Sequence, residues 1–554
     1  MADAGGGALH RMHADPATVP AKSAGRIVSA MLAHPRLASL SLGLLAATGF
    51  QPLHLWPLGL AAMAAMVWLV WQQASAKAAF LAGWLFGVAH FTLTNNWIAT
   101  AFTYQAQMPA WLGWLAVPLL SLYLAVWPGL AALAAWLFAR RQGLPAFALV
   151  FGAAWIAAEW LRSWVFTGYV WGPFSMMLLG GWDRPGAAMA LPFAGTYALS
   201  GLAVALAGML AWAVTARRWI TAAALAGPVI LAMLWPAPER ADSALALTLV
   251  QPNLQQEELG NPGLYEAQFQ RIAALTIPRD PGTRRLVLWP ESAVPDYLRE
   301  GYPLRYYIRT TAEADPLYAR RRIGQVIGEG SLLLTGAQDL LIGNVNGRDT
   351  VVAAYNTVTP VDAQGNLGTR YAKAHLVPYG EYLPMRELLE PLGMSRLVAG
   401  SIDFKPGPGP RTIDLGVHGK AGMQICYEII FSGEVVDPQQ RPDYIFNPSN
   451  DGWFGLWGPP QHLAQARLRA IEEGLPVLRA TTTGISAVID ARGVVREHVA
   501  RNAAARIDTR VPQTLAPTWF SRAGHGLTLA WGILLLVASL VARRWAARYV
   551  DAET

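Results

Sequence analysis

Eight stretches of this 554-residue chain are apolar enough to read as membrane crossings, and they enclose one long polar segment. The runs lie near residues 37–52, 56–72, 78–100, 111–139, 145–163, 186–215, 218–236 and 524–542, each near the roughly 20 residues that cover a bilayer's hydrocarbon. Backbone in lipid has to satisfy its own hydrogen bonds, so the runs are expected to be helices. The first two are short, and Gln51-Pro52 with Trp56-Pro57 marks either a tight outer turn or one re-entrant element. Composition agrees: 53% of residues are hydrophobic and only 14% charged, which excludes an ordinary soluble enzyme of this length.

The charges orient the runs. Lys22, Arg26, Arg36, Lys77, Arg140, Arg141, Arg217, Arg218, Arg543, Arg544 and Arg548 fall on one side if the spans alternate, whereas the loop near 101–110 carries no charge. By the positive-inside rule both termini are cytoplasmic and the polar segment 237–521 lies outside, in a periplasm-like space. The net charge of +7 therefore reflects membrane topology, and no nucleic-acid partner is called for. Residues 1–30 read as a flexible tail without a signal-type apolar core, 31–236 as a membrane domain of about seven helices, 237–521 as an extracytoplasmic domain, and 522–554 as a final span with a cytoplasmic tail.

Within 237–521, short β-branched or apolar runs at 244–250, 285–289, 332–335, 351–358, 421–426, 444–446, 477–481 and 485–489 read as strands. Helix-forming stretches at 262–275, 316–329 and 461–474 lie between several of them. The alternation predicts one α/β domain with a buried sheet.

Three polar residues stand where such strands should end. Glu291 follows Leu286-Val287-Leu288-Trp289-Pro290, Lys373 follows Tyr371-Ala372, and Cys426 closes Gly422-Met423-Gln424-Ile425. Singly, each has a bland reading: a helix N-cap partner, a solvated charge, a small core residue. Together they are the parts of acyl transfer through a thioester. A thiol is mostly protonated at neutral pH, so a carboxylate can take its proton as attack begins. An ammonium can then stabilise the thiolate and the oxyanion that develops on the attacked carbonyl. Spacing alone does not show that the three converge.

The segments Trp289-Pro290-Glu291-Ser292, Tyr371-Ala372-Lys373-Ala374-His375-Leu376-Val377-Pro378-Tyr379-Gly380-Glu381-Tyr382 and Ile425-Cys426-Tyr427-Glu428 resemble the three catalytic segments of the nitrilase superfamily. With the membrane runs, Glu159-Trp160-Leu161-Arg162, Phe166-Thr167-Gly168-Tyr169-Val170-Trp171 and Asn447-Pro448-Ser449-Asn450-Asp451-Gly452-Trp453-Phe454, the likeness is to the bacterial apolipoprotein N-acyltransferases in particular. The resemblance implies a multi-pass α-helical membrane bundle of about eight transmembrane helices joined to a nitrilase-like αββα sandwich. It implies Cys426 as nucleophile, Glu291 as general base and Lys373 as stabiliser of the tetrahedral intermediate, supported by Glu381, Tyr427 and Glu428. One departure stands out: the Trp that the family often carries after its first strand is absent near Leu259 and Gly260.

The implied reaction moves the sn-1 acyl chain of a phospholipid, phosphatidylethanolamine above all, through a Cys426 thioester. The acceptor would be the N-terminal amine of a diacylglyceryl-cysteine apolipoprotein in the bacterial inner membrane. Trp164, Phe166, Tyr169, Trp171, Trp453, Phe454 and Trp457 read either as a lipid-facing mouth or as an anchoring aromatic belt. Glu159 and Arg162 read either as a pair on one helix face or as structural residues, with no catalytic role. His375 and His462 lack metal-ligand spacing, and no cofactor is implied. The nearest rival is a membrane-tethered amidase that hands its acyl group to water. A membrane scaffold with a decayed enzyme domain is the remoter one.

Overall fold

The computed structural model describes residues 19–104, 109–238, 241–392 and 402–553. Among the described residues, five helices are long and apolar enough to cross a membrane: Ala76–Thr94, Leu112–Gln142, Leu144–Arg162, Thr196–Thr215 and His525–Arg543. The other three expected spans are apolar helices of 13 to 16 residues, Pro35–Ala47, Trp56–Trp71 and Trp219–Leu234, so by length the expected eight reduce to five. Two helices therefore flank Gln51-Pro52, as a turn between them requires. The run expected at 186–215 is broken, because Gly195 (φ 75°) separates a short turn at Leu191–Ala194 from the long helix. Of the expected tail, Val19–Ala33 is helical and residues 1–18 lie outside the described residues.

Leu144–Arg162 is the centre of the bundle, packed by Val126–Ala139, Thr196–Thr215 and the last helix. Small residues let the backbones approach: a Cβ added at Gly152 would fall 2.5 Å from the Gly201 carbonyl. Lipid supplies no hydrophobic drive between helices, so close packing of this kind holds such bundles together.

The described residues of the polar segment form twelve strands. They are β1 (Asp242–Gln251), β2 (Leu286–Leu288), β3 (Leu332–Val345), β4 (Arg348–Asp362), β5 (Tyr371–Ala372), β6 (Thr412–Asp414), β7 (Lys420–Met423), β8 (Tyr444–Ser449), β9 (Val477–Thr481), β10 (Ser486–Ile489), β11 (Val495–Val499) and β12 (Ala505–Pro512). Two six-stranded sheets result, ordered β12-β1-β2-β3-β4-β5 and β11-β10-β9-β8-β7-β6. Each has three parallel strands at its centre, β1-β2-β3 and β7-β8-β9, with antiparallel strands outside. Parallel strands are covered on both faces, which is why these read as unbroken apolar runs.

Alternate residues separate the layers. Leu247, Leu249, Leu286 and Leu288 face Met423, Phe446 and Leu478 between the sheets. Val250, Val287 and Leu333 point the other way, onto Phe269, Ile272 and Ile323 of the helices Tyr265–Thr276 and Pro316–Ile327. The second sheet is covered by the helix Gly458–Glu473, whose residues are all buried except Pro460. Leu463, Ala466 and Ala470 face the sheet, whereas Ala464, Leu468 and Ile471 join the core of the membrane bundle. A helix apolar on both sides lies between two cores, and here those are the two halves of the protein.

Polar side chains of the same helix fix its seat. Arg467 donates to the carbonyls of Gly493 (2.7 Å), Gly180 (3.1 Å), Gly181 (2.7 Å) and Arg184 (2.8 Å), joining sheet loop to bundle loop. Arg467→Ala strands these acceptors and should lower stability by about 3 kcal/mol. Thermal unfolding of the full chain in detergent measures this, and an unchanged midpoint would contradict the role.

Candidate active site

Glu291 sits just beyond β2, Lys373 just beyond β5 and Cys426 beyond β7. The strand expected at 421–426 stops at Met423, and Cys426 instead opens the 3₁₀ helix Cys426–Ile430 with φ of 50°. A non-glycine residue in the left-handed region costs about 1–2 kcal/mol and persists only where its surroundings hold it. Ser292, immediately after the glutamate, is left-handed too (φ 57°).

The structure brings Glu291, Lys373, Glu381 and Cys426 together. Lys373 Nζ lies 3.0 Å from Glu381 Oε2 and 3.7 Å from Glu291 Oε1, with the lysine side chain only 2% exposed. Burial opposes the ammonium, but Glu381, then Glu291, outweigh it and hold the lysine pKa above its ordinary range. Burial and then Glu291 push the Cys426 thiol well above the ordinary thiol range, while Lys373 and the Asn450 N–H pull it back. The resting group is thus a neutral thiol beside a base, not a free thiolate.

Asn356 of β4 went unnoticed in the sequence and is central to the site. Its Nδ2 donates to Glu291 Oε1 (2.7 Å) and Glu381 Oε1 (2.9 Å), and its carbonyl accepts from the Lys373 N–H (2.8 Å). One amide so spaces both carboxylates around the ammonium. The available signal was an Asn interrupting the apolar run Val351-Val352-Ala353-Ala354-Tyr355. Asn450, in a segment whose likeness was noted without a role, donates its N–H to Glu291 Oε2 (2.8 Å).

Tyr427 and Glu428 lie apart from the reacting groups. Tyr427 donates its hydroxyl to the Gly168 carbonyl (3.3 Å) of the membrane part. Glu428 accepts from Tyr371 Oη (2.7 Å) and from the N–H groups of Ala374 (2.7 Å), His375 (3.1 Å) and Ile425 (2.7 Å), tying the lysine loop to the nucleophile turn. Burial pushes its pKa up to about 7 against these bonds. His375, lowered to about 4 by burial and Lys373, stacks as a neutral ring on Phe431 at 3.7 Å.

Two further readings need correction. Trp171 and Phe454 do not face lipid: both are buried, Trp171 donating from Nε1 to Gln461 Oε1 (2.6 Å), whereas Phe166 is 82% exposed. Glu159 accepts from Trp155 Nε1 (3.0 Å) and the Phe174 N–H (2.9 Å), and Arg162 lies over the Phe91 ring, so neither side chain completes the expected direct pair. The turn where the family Trp is missing, near Leu259 and Gly260, leads into the helix Tyr265–Thr276.

A two-sheet α/β domain with a buried Glu-Lys-Cys cluster, seated on an apolar helical bundle, defines a membrane-bound member of the carbon-nitrogen hydrolase class. The carbon-nitrogen hydrolase family model matches residues 254–510, and the model of the apolipoprotein N-acyltransferase N-terminal domain matches 42–209. The apolipoprotein N-acyltransferase of Rhodopseudomonas palustris is 32% identical over 91% of this chain and 95% of its own length. That of Vibrio cholerae is 31% identical over 84% and 89%. The solved structure of Saccharomyces cerevisiae Nit3, a nitrilase-superfamily protein, is 20% identical, covers 50% of this chain and 93% of its own, and has a TM-score of 0.34. The chain belongs to the apolipoprotein N-acyltransferase family.

Cys426 is the chain's single cysteine, so alkylation reads it alone. Its raised pKa means the iodoacetamide rate should climb with pH and reach half-maximum well above 8.5, the reference thiol value. Lys373→Met removes the cation that lowers that pKa and should move the midpoint higher still. A wild-type midpoint below 8 would contradict the geometry.

Proposed function

We propose that this chain N-acylates lipoproteins by a ping-pong exchange, with Cys426 as acyl carrier, Glu291 as general base and Lys373 as electrostatic stabiliser. The observation that carries the reading is the buried cluster itself: one ammonium between two carboxylates, next to a protonated thiol held in a left-handed turn.

In the first half-reaction Glu291 takes the thiol proton as sulfur attacks the sn-1 ester carbonyl of a phospholipid such as phosphatidylethanolamine. The developing oxyanion is met by Lys373 and by the N–H groups at the start of the helix Cys426–Ile430, which have no partner within that helix. The C–O bond breaks, and the lysophospholipid alkoxide takes the proton from Glu291-H. In the second, the α-amine of a diacylglyceryl-cysteine attacks the thioester, gives its proton to Glu291 and expels the thiolate, which is reprotonated. Glu381 and Asn356 keep the ammonium in place through both steps.

Transfer to an amine rather than water fits a nucleophile that lies beside the membrane half. Tyr427, next to Cys426, bonds to the bundle loop at Gly168, two residues from the exposed Phe166. Such a position suits two lipid-anchored substrates better than a small polar amide. The positive-inside charge pattern supports an inner-membrane protein with the α/β domain in the periplasm and both termini cytoplasmic, and the change from apolar to polar sequence near residues 237 and 521 supports those domain boundaries.

Purified protein incubated with phosphatidylethanolamine should gain the mass of one acyl chain, and Cys426→Ala should gain none. Lys373→Ala and Glu291→Gln should slow the gain at least a hundredfold. No adduct on wild type, or one persisting in Cys426→Ala, would sink the proposal. Adding a diacylglyceryl-cysteine peptide should then clear the adduct faster than buffer alone; equal rates would favour hydrolysis.

A further inference from the structure

Cys426 is held in its left-handed conformation by its own carbonyl, which accepts from His462 Nε2 at 3.1 Å and from Asn447 Nδ2 at 3.4 Å. Neither donor belongs to the Glu291, Lys373 and Cys426 chemistry. His462 is fully buried, as are the residues on its other side, Asp451 and Arg479. Its Nδ1 lies 3.0 Å from Asp451 Oδ1 and 3.0 Å from Arg479 Nη2, while Arg479 grips both Asp451 oxygens at 2.8 and 2.7 Å and also donates to Asn447 Oδ1.

We infer that His462, oriented by Asp451 and Arg479, is a positioning residue for the nucleophile. The inference rests on the reading of Cys426 as acyl carrier. The chemistry of the imidazole makes the arrangement robust. A neutral ring can accept at Nδ1 from Arg479, and a protonated ring can donate there to Asp451. In both states Nε2 keeps its hydrogen for the Cys426 carbonyl. Arg479 orients both donors at once, since it holds Asn447 and the His462–Asp451 pair. Buried polar groups are costly unless matched, so this network fixes one arrangement of the turn. The ring also packs against Trp171 and Phe454, whose centroids each lie 5.3 Å from it and 5.4 Å from one another, so the bundle side of the protein helps to set its position.

The strain and these contacts have a common purpose. A left-handed Cys426 starts a helix while aiming its side chain away from the sheet, and without the carbonyl donors the residue would relax to ordinary φ. Sulfur would then move relative to Glu291 and Lys373, which do not move with it. A displacement near 1 Å of a reacting atom can cost about a hundredfold in rate without changing binding.

Two amides of different length separate this from mere packing. The side-chain nitrogen of Gln can occupy the place of imidazole Nε2, and that of Asn the place of Nδ1. His462→Gln should therefore keep single-turnover acylation of Cys426 by phosphatidylethanolamine within about tenfold of wild type. His462→Asn should slow it about a hundredfold while the donor concentration giving half-maximal rate changes less than threefold. Equal rates in the two variants, or a loss expressed mainly in that concentration, would overturn the inference. If wild type itself gains no acyl chain, the acyl-carrier reading falls and takes this one with it. Should either variant unfold in detergent, Asn447→Ser, which removes the second donor, should slow acylation about tenfold, and an unchanged rate would overturn the inference.

Discussion

The helix Gly458–Glu473 is the constraint on which the rest depends, because it carries charged and polar side chains into a place with no water. His462, Gln465, Arg467, Arg469, Glu472 and Glu473 are all buried there. Burying such groups is unfavourable by several kcal/mol each unless partners are in place. The partners come from both halves. Gln461 donates to the Gln51 carbonyl and accepts from Trp171; Glu472 accepts from the Thr196 N–H and Ser432 Oγ; Arg469 donates to Thr196; His462 reaches Cys426. The bundle and the α/β domain are thus not two units tethered by a linker. Each completes the hydrogen bonding of a helix that the other needs.

The site obeys the same accounting on a smaller scale. A buried lysine alone would lose its proton. Lys373 keeps its own because Glu381 and Glu291 lie beside it, with Asn356 as spacer between them. Burial and Glu291 raise the pKa of Cys426 in turn, so the thiol stays protonated at rest. That arrangement suits an enzyme whose thiol must survive between rare encounters with lipid, since thiolates are the form that oxidants attack.

Much of this was legible in the chain. The apolar runs gave the helices, and the strands that are buried on both faces were continuous enough to be seen at 244–250, 332–335 and 477–481. Glu291 and Cys426 stood out because each follows an apolar run and Lys373 because it follows Tyr371-Ala372, and the structure brings them into one cluster with Glu381. What escaped has physical reasons. β5 and β6 have two and three residues, too few for any periodicity, and β11 and β12 alternate with charged residues that mask the apolar face. Asn356 and His462 act through geometry across the fold, 65 and 36 residues from the groups they hold, which no local pattern records. Trp171 and Phe454 were misread because an aromatic near a span's end suits a lipid interface and a domain interface equally, and only packing distinguishes the two.

The placement of those two rings bears on how the two halves of the protein are coupled. Trp97, Trp171, Phe454 and His462 pack as one cluster of tilted and edge-on rings, with neighbouring centroids 4.4 to 5.4 Å apart, between the bundle and the nucleophile turn. Trp171 and Phe454 fill the space between Trp97 of the bundle and His462, whose Nε2 meets the Cys426 carbonyl. The rings that pack on His462 therefore couple the membrane half, through that imidazole, to the backbone of the nucleophile turn.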